Sequence, residues 1–96
     1  MRIDKYIWDD VKNRINIKKH NIDFKTATKV FDDENRIIIY DSIHSVYEDR
    51  YFAIGSVDSK ITILTVVFTD RHGLIRIISA RKATKKERGV YYDSFC

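Results

Sequence analysis

Hydrophobic positions change their spacing twice along the chain. In the first third they recur at helical intervals. Trp8, Val11 and Ile15 stand at i, i+3 and i+7, which places them on one face of a helix starting near Asp9. Asp9 and Asp10 suit its positive N-terminal end, and Lys18 and Lys19 its C-terminal end. Phe24, Ala27, Val30 and Phe31 repeat the pattern in a second helix, with Asp23 as N-cap and His20-Asn21-Ile22 as the turn between.

The middle of the chain switches to β-branched and aromatic runs. Ile37 to Tyr40, Arg50 to Val57, Ile61 to Thr69 and Leu74 to Arg81 are the predicted strands. Asp58-Ser59-Lys60 and Asp70-Arg71-His72-Gly73 are short, turn-forming connections, so the strands they join run antiparallel. Ile61 to Phe68 is apolar on both faces, the mark of a central strand. Helical spacing then returns. Thr84 and Glu87 form a capping box ahead of Arg88, Val90, Tyr91 and Tyr92. The expected order is α-α-β-β-β-β-α: an α+β fold of two N-terminal helices, a four-stranded antiparallel sheet and a C-terminal helix.

Composition narrows the class. At 96 residues the chain is expected to form one domain, 1–96. Hydrophobic residues at 44% and aromatics at 12% exclude a disordered chain. The single cysteine, Cys96, excludes a disulfide framework and a cysteine zinc site, and points to a reducing, cytoplasmic compartment. No run is long enough for a membrane helix, and acidic residues near the N-terminus interrupt any signal-peptide core. No metal or cofactor is expected, because His20, His44 and His72 lie far apart in predicted turns.

The net charge of +4 is unevenly laid out. Residues 31–50 are acidic, whereas Arg71, Arg76, Arg81, Lys82, Lys85, Lys86 and Arg88 face only Glu87 within 71–88. On a regular strand Ile75, Ile77, Ser79 and Arg81 point one way and Leu74, Arg76, Ile78 and Ala80 the other. Arg81 and Lys82 precede a capped helix start, a natural place for a phosphate or simply a solvated strand end. Glu48 and Arg50 share a strand face and form either an acid–cation pair with chemistry or a surface salt bridge. Trp8 is first a core residue, and secondarily a surface for stacking on a base.

These residues resemble the BrnT toxins of type II toxin–antitoxin modules. The resemblance runs from Trp8-Asp9 through Lys12, Asn16, Lys19-His20 and Phe24, and continues at Ala27 and Val30-Phe31-Asp32. Asp41-Ser42-Ile43-His44-Ser45, Glu48-Asp49-Arg50 and Ile54-Gly55 are similar to a second block, and Thr69-Asp70-Arg71 to a third. Arg76 to Thr84, followed by Glu87-Arg88, is similar to the signature R-I-I-S-A-R-x-A-T.

The resemblance implies a RelE-like fold, a ribonuclease that halts translation, and neutralisation by a BrnA-like antitoxin. Such antitoxins are ribbon-helix-helix DNA binders, so DNA is met only through the antitoxin. Metal-free RNA cleavage needs the 2′-hydroxyl oriented and the phosphorane charge stabilised. Arg50, Arg71 and Arg81 are the expected charge stabilisers, because guanidinium forks match phosphate oxygens. Glu48 is the expected base, with His20 and His44 as other proton carriers. Lys82, Lys85, Arg88, Trp8, Lys12 and His20 are the expected RNA contacts. The competing classes are a non-catalytic basic module and a ParE-like toxin acting on a protein.

Overall fold

The computed structural model describes residues 1–58 and 62–95. Strand β1 (Arg2–Ile3) and strand β2 (Tyr6–Ile7) form a short antiparallel hairpin. Helix α1 (Asp10–His20), helix α2 (Phe24–Ala27) and a 3₁₀ turn (Thr28–Asp32) follow. The chain then runs through β3 (Ile37–Tyr40), β4 (Tyr51–Ser56), β5 (Ile63–Arg71) and β6 (Leu74–Lys82) to helix α3 (Lys85–Asp93).

The sheet has six strands in the order β1-β2-β6-β5-β4-β3. Pairing is antiparallel except between β2 and β6, which run parallel. The expected four-stranded antiparallel sheet with two N-terminal helices is therefore corrected to a six-stranded mixed sheet with three α-helices. The two added strands are two residues each, too short for any period-2 signal. The second helix also differs: it is one α-turn continued as 3₁₀, though Phe24, Ala27 and Val30 are fully buried.

Local chemistry explains most boundaries. The Asp9 carboxylate accepts from the Val11 and Lys12 amides and starts α1, and left-handed Asn21 ends it. Thr84 and Glu87 form the full reciprocal cap of α3. The β5–β6 hairpin is tighter than expected, a two-residue turn at His72 and Gly73 with φ of 55° and 84°. Both values are positive, as a type I′ turn requires. In the expected Asp58-Ser59-Lys60 turn, Ser59 and Lys60 lie outside the described residues, as does Ile61 of the expected strand.

The main core lies between one sheet face and the α1–α2 segment, with Trp8, Phe24, Val30, Val66, Phe68 and Ile77 inside. A smaller cluster of Ile54, Ile63, Ala83 and Tyr91 seats α3 on the opposite face. The predicted apolar face of α1 is corrected. Trp8 is buried, but Val11 and Ile15 are 54% and 59% exposed. Asn16, at 5% exposure, faces the sheet instead. Its amide donates to the Ile22 and Ala80 carbonyls at 2.9 Å, and its oxygen accepts from the Ala80 amide at 3.1 Å. One side chain thus docks the helix on β6 through hydrogen bonds rather than apolar burial.

Candidate nucleic-acid interface

A β-bulge decides where the arginines point. The β5–β6 register shifts between Val67 and Phe68: Val67 pairs with Ser79, but Phe68 pairs with Ile77. Ile78 is the extra residue, and it reverses the alternation of everything before it. Ile77 and Ala80, expected on opposite faces, both point into the main core. Arg76, Ser79 and Arg81 pair with Thr69, Val67 and Thr65, alternate positions of β5, and so share the other face. The expectation that Arg76 and Arg81 face opposite ways is corrected by this one inserted residue.

The shared face is a shallow floor bounded by charge at both ends. At one end Arg81 grips Glu87 with two hydrogen bonds of 2.6 and 2.9 Å. That guanidinium, assisted by the Thr84 amide and opposed by burial, holds the Glu87 carboxyl at about 2. Glu87 in turn raises Arg81 above its usual value. At the other end Arg71 grips Glu48 at 3.2 and 3.3 Å. The Glu48 carboxyl is drawn below its usual range, first by that contact and further by the charges of Arg76 and Arg50. The Thr65–Arg81 and Thr69–Arg76 rungs stand four positions apart on β5, roughly 13 Å of strand. Phe52, Val67 and Ser79 lie half-buried between them.

The loop after β3 closes beside Arg50. The Asp41 amide donates to the Arg50 carbonyl at 2.9 Å, and the Ser45 hydroxyl accepts from the Arg50 amide. Buried Asp41 accepts from the His44 ring at Nδ1, 2.8 Å away, and from the Ile43 and His44 amides. Burial opposes the charge on Asp41, but these donors lower its carboxyl below the usual value. Nδ1 being occupied, Nε2 is the ring nitrogen left to the exposed side of His44.

The other expected contacts are scattered. Lys82 and His20 line a separate cavity of about 240 Å³ with Thr62 and Leu64. Lys85 and Arg88 are exposed on α3, and Arg88 donates to the Ala83 carbonyl at 2.8 Å. Lys12 is exposed on the first turn of α1. Trp8 is 6% exposed and packs edge-on against Phe24, so as an RNA contact it is corrected to a core residue. Arg76 joins Arg81 on the shared face only through the bulge, which regular alternation does not anticipate. Among the described residues no three His, Cys, Asp or Glu side chains are grouped to hold a metal. No helix there is long and apolar enough to cross a membrane.

No curated protein matches the chain. The family model for the ribonuclease toxin BrnT of type II toxin–antitoxin systems matches residues 8–87. That span contains the bulged strand, every arginine of the shared face and both of their carboxylate partners; the chain belongs to the BrnT family of ribonuclease toxins, whose partner is an antitoxin protein.

Proposed function

We propose that the chain is a metal-independent endoribonuclease whose RNA lies along the face shared by Arg76, Ser79 and Arg81. The observation that carries this reading is the bulge, which gathers arginines from the two ends of β6 on one half-buried face. In the reaction the 2′-oxygen bonds to phosphorus and the bond from phosphorus to the 5′-oxygen breaks. The products are a 2′,3′-cyclic phosphate and a 5′-hydroxyl. Arg76 and Arg81 bind the non-bridging oxygens and stabilise the phosphorane. Arg50 and Arg71 hold the strand beside Glu48.

Glu48 is a weak base because Arg71 stabilises its charged form. The better proton acceptor is His44, oriented by Asp41 at Nδ1 and presenting Nε2. The proton taken from the 2′-hydroxyl there is returned to the leaving 5′-oxygen. Cleavage of this kind halts translation, in the cytoplasm. The silencing partner is a BrnA-like, ribbon-helix-helix antitoxin that carries the complex to DNA.

The test is incubation of the pure protein with bulk RNA in EDTA. Cleavage with cyclic-phosphate ends is expected. Cleavage abolished by EDTA and restored by a divalent cation refutes metal independence, and no cleavage at any concentration favours a protein-directed toxin.

A further inference from the structure

The sheet ends in an open edge at β3, the last strand in its order. The Asp41 amide donates to the Arg50 carbonyl, one step beyond the Tyr40–Tyr51 rung, and so fixes the phase of the β3–β4 ladder. Every second residue of an antiparallel strand bonds its neighbour, so Ile37 and Ile39 turn their backbone groups to β4. Ile38 and Tyr40 turn theirs outward, where no strand among the described residues meets them. Natural sheets blunt such an edge with a charge, a proline or a bulge. The strand Ile37-Ile38-Ile39-Tyr40 has none of these.

Its side chains are open as well. Ile38, Ile39 and Tyr40 are 47%, 38% and 50% exposed, and the following loop adds Ile43 at 78%, Val46 at 74% and a fully exposed Tyr47. Scattered exposed apolar residues are ordinary, but an uncovered run of them beside an unpaired strand marks a docking surface. Ile38 and Tyr40 alternate with Ile39 across the strand, so an added strand would be gripped on both faces. The loop itself is tied down. Ser45 Oγ donates to the Asp41 carbonyl and accepts from the Arg50 amide, and the Tyr40 hydroxyl donates to the Asp49 carboxylate at 3.0 Å.

Charge selects the occupant. Asp32 and Glu34 are exposed ahead of the strand and Asp49 beside its end. The nearby Arg36 is already turned to the Asp33 carbonyl at 3.2 Å. A second copy paired along β3 would bring a second set of these acids, and RNA is repelled by the same charge. An extended protein segment with apolar side chains and basic ends meets neither objection. The family brings one protein partner, the antitoxin.

We propose that β3 is a docking edge for the antitoxin, which adds a strand to the sheet through the outward backbone groups of Ile38 and Tyr40. Basic side chains of that strand meet Glu34 and Asp49. The edge needs only the partner that the family brings, not the cleavage mechanism above.

The experiment follows amide exchange in the full chain, alone and with its purified cognate antitoxin. The Ile38 and Tyr40 amides are expected to slow by about 100-fold or more on binding, as bonded strand amides do. Ile38→Pro removes one outward donor and no bond to β4, and should weaken binding about 10-fold, the worth of one main-chain hydrogen bond. Glu34→Lys with Asp49→Lys, both at exposed side chains, should weaken it as much and decides the matter if Ile38→Pro does not fold. Unchanged exchange at Ile38 and Tyr40 in the complex overturns the proposal, as does parent-strength binding by either folded variant. Protection of the same amides by RNA, or by self-association of the chain without antitoxin, assigns the edge elsewhere and also overturns it. Antitoxin docking on β3 by a chain that cleaves no RNA sinks the nuclease mechanism alone.

Discussion

Arg81 meets a phosphate only by exchanging one anion for another, because Glu87 already occupies its fork. Arg81→Ala is expected to lower RNA cleavage roughly 10²–10³-fold, the loss typical of a single transition-state donor. Its stability cost should be about 1 kcal/mol, since the pair is partly solvated. Full growth inhibition by a folded Arg81→Ala protein would remove the residue from the mechanism. Glu87 supplies the matching pH signature. Its carboxyl is lower in the folded chain, about 2 against an ordinary 4.5, so the stabilisation is complete above pH 4.5. It is lost as pH falls toward 2, a change of about 1 kcal/mol after solvent screening. Denaturant melts of Glu87→Gln beside the parent, taken between pH 5 and 2, should converge at the acid end. Parallel curves would show that the pair does not carry that titration.

At the scale of elements, capping and strand composition were legible, and close packing was not. Asp9, Asp23 and the Thr84–Glu87 box stand where their side chains predict helix starts, because caps are local chemistry. The bulge at Ile78 leaves no trace in the sequence, and regular alternation puts Arg76 and Arg81 on opposite faces of β6. Nor did spacing reveal that α1 turns Asn16 rather than Val11 and Ile15 to the sheet. Asn16→Ala should cost about 2–3 kcal/mol, because it strands the buried Ala80 backbone groups without a partner. Gly55 marks a similar close approach. A Cβ there would lie 3.0 Å from Val30 Cγ1 and 3.1 Å from the Val30 carbonyl oxygen. Gly55→Ala should therefore destabilise by about 1–3 kcal/mol through overpacking. Urea melts check both, and a loss under 0.5 kcal/mol in either would show that the contact relaxes freely.

Across the whole molecule, basic charge gathers toward the two ends of the sequence. The 71–88 segment is its densest part, and α1 exposes Val11 and Ile15 among Lys12, Lys18 and Lys19. Besides the β3 edge, an antitoxin has two further places to grip. An acidic segment laid near Arg81, Lys85 and Arg88 would cover the cleavage face and be steered there by charge. Lys85→Glu with Arg88→Glu is then expected to slow association at least 10-fold at low salt and flatten its salt dependence. Stopped-flow binding with an unchanged rate would move the grip to α1.

The parallel pairing of β2 with β6 sets a different constraint, one of timing. Tyr6 and Ile7 pair with Ile75 and Arg76, so the first hairpin has no neighbouring strand until β6 has been made. Such a closure is among the most non-local in the fold, and non-local pairings form late. As synthesis runs from the N-terminus, the sheet can close only after β6 leaves the ribosome, and β6 also carries Arg76 and Arg81. If RNA is cut at Arg76 and Arg81 as proposed, competence to cut it and completion of the sheet arrive together. A nascent chain stalled before Leu74 should show rapid amide exchange at Tyr6 and Ile7 and no toxicity, leaving the antitoxin nothing to restrain until β6 is in place.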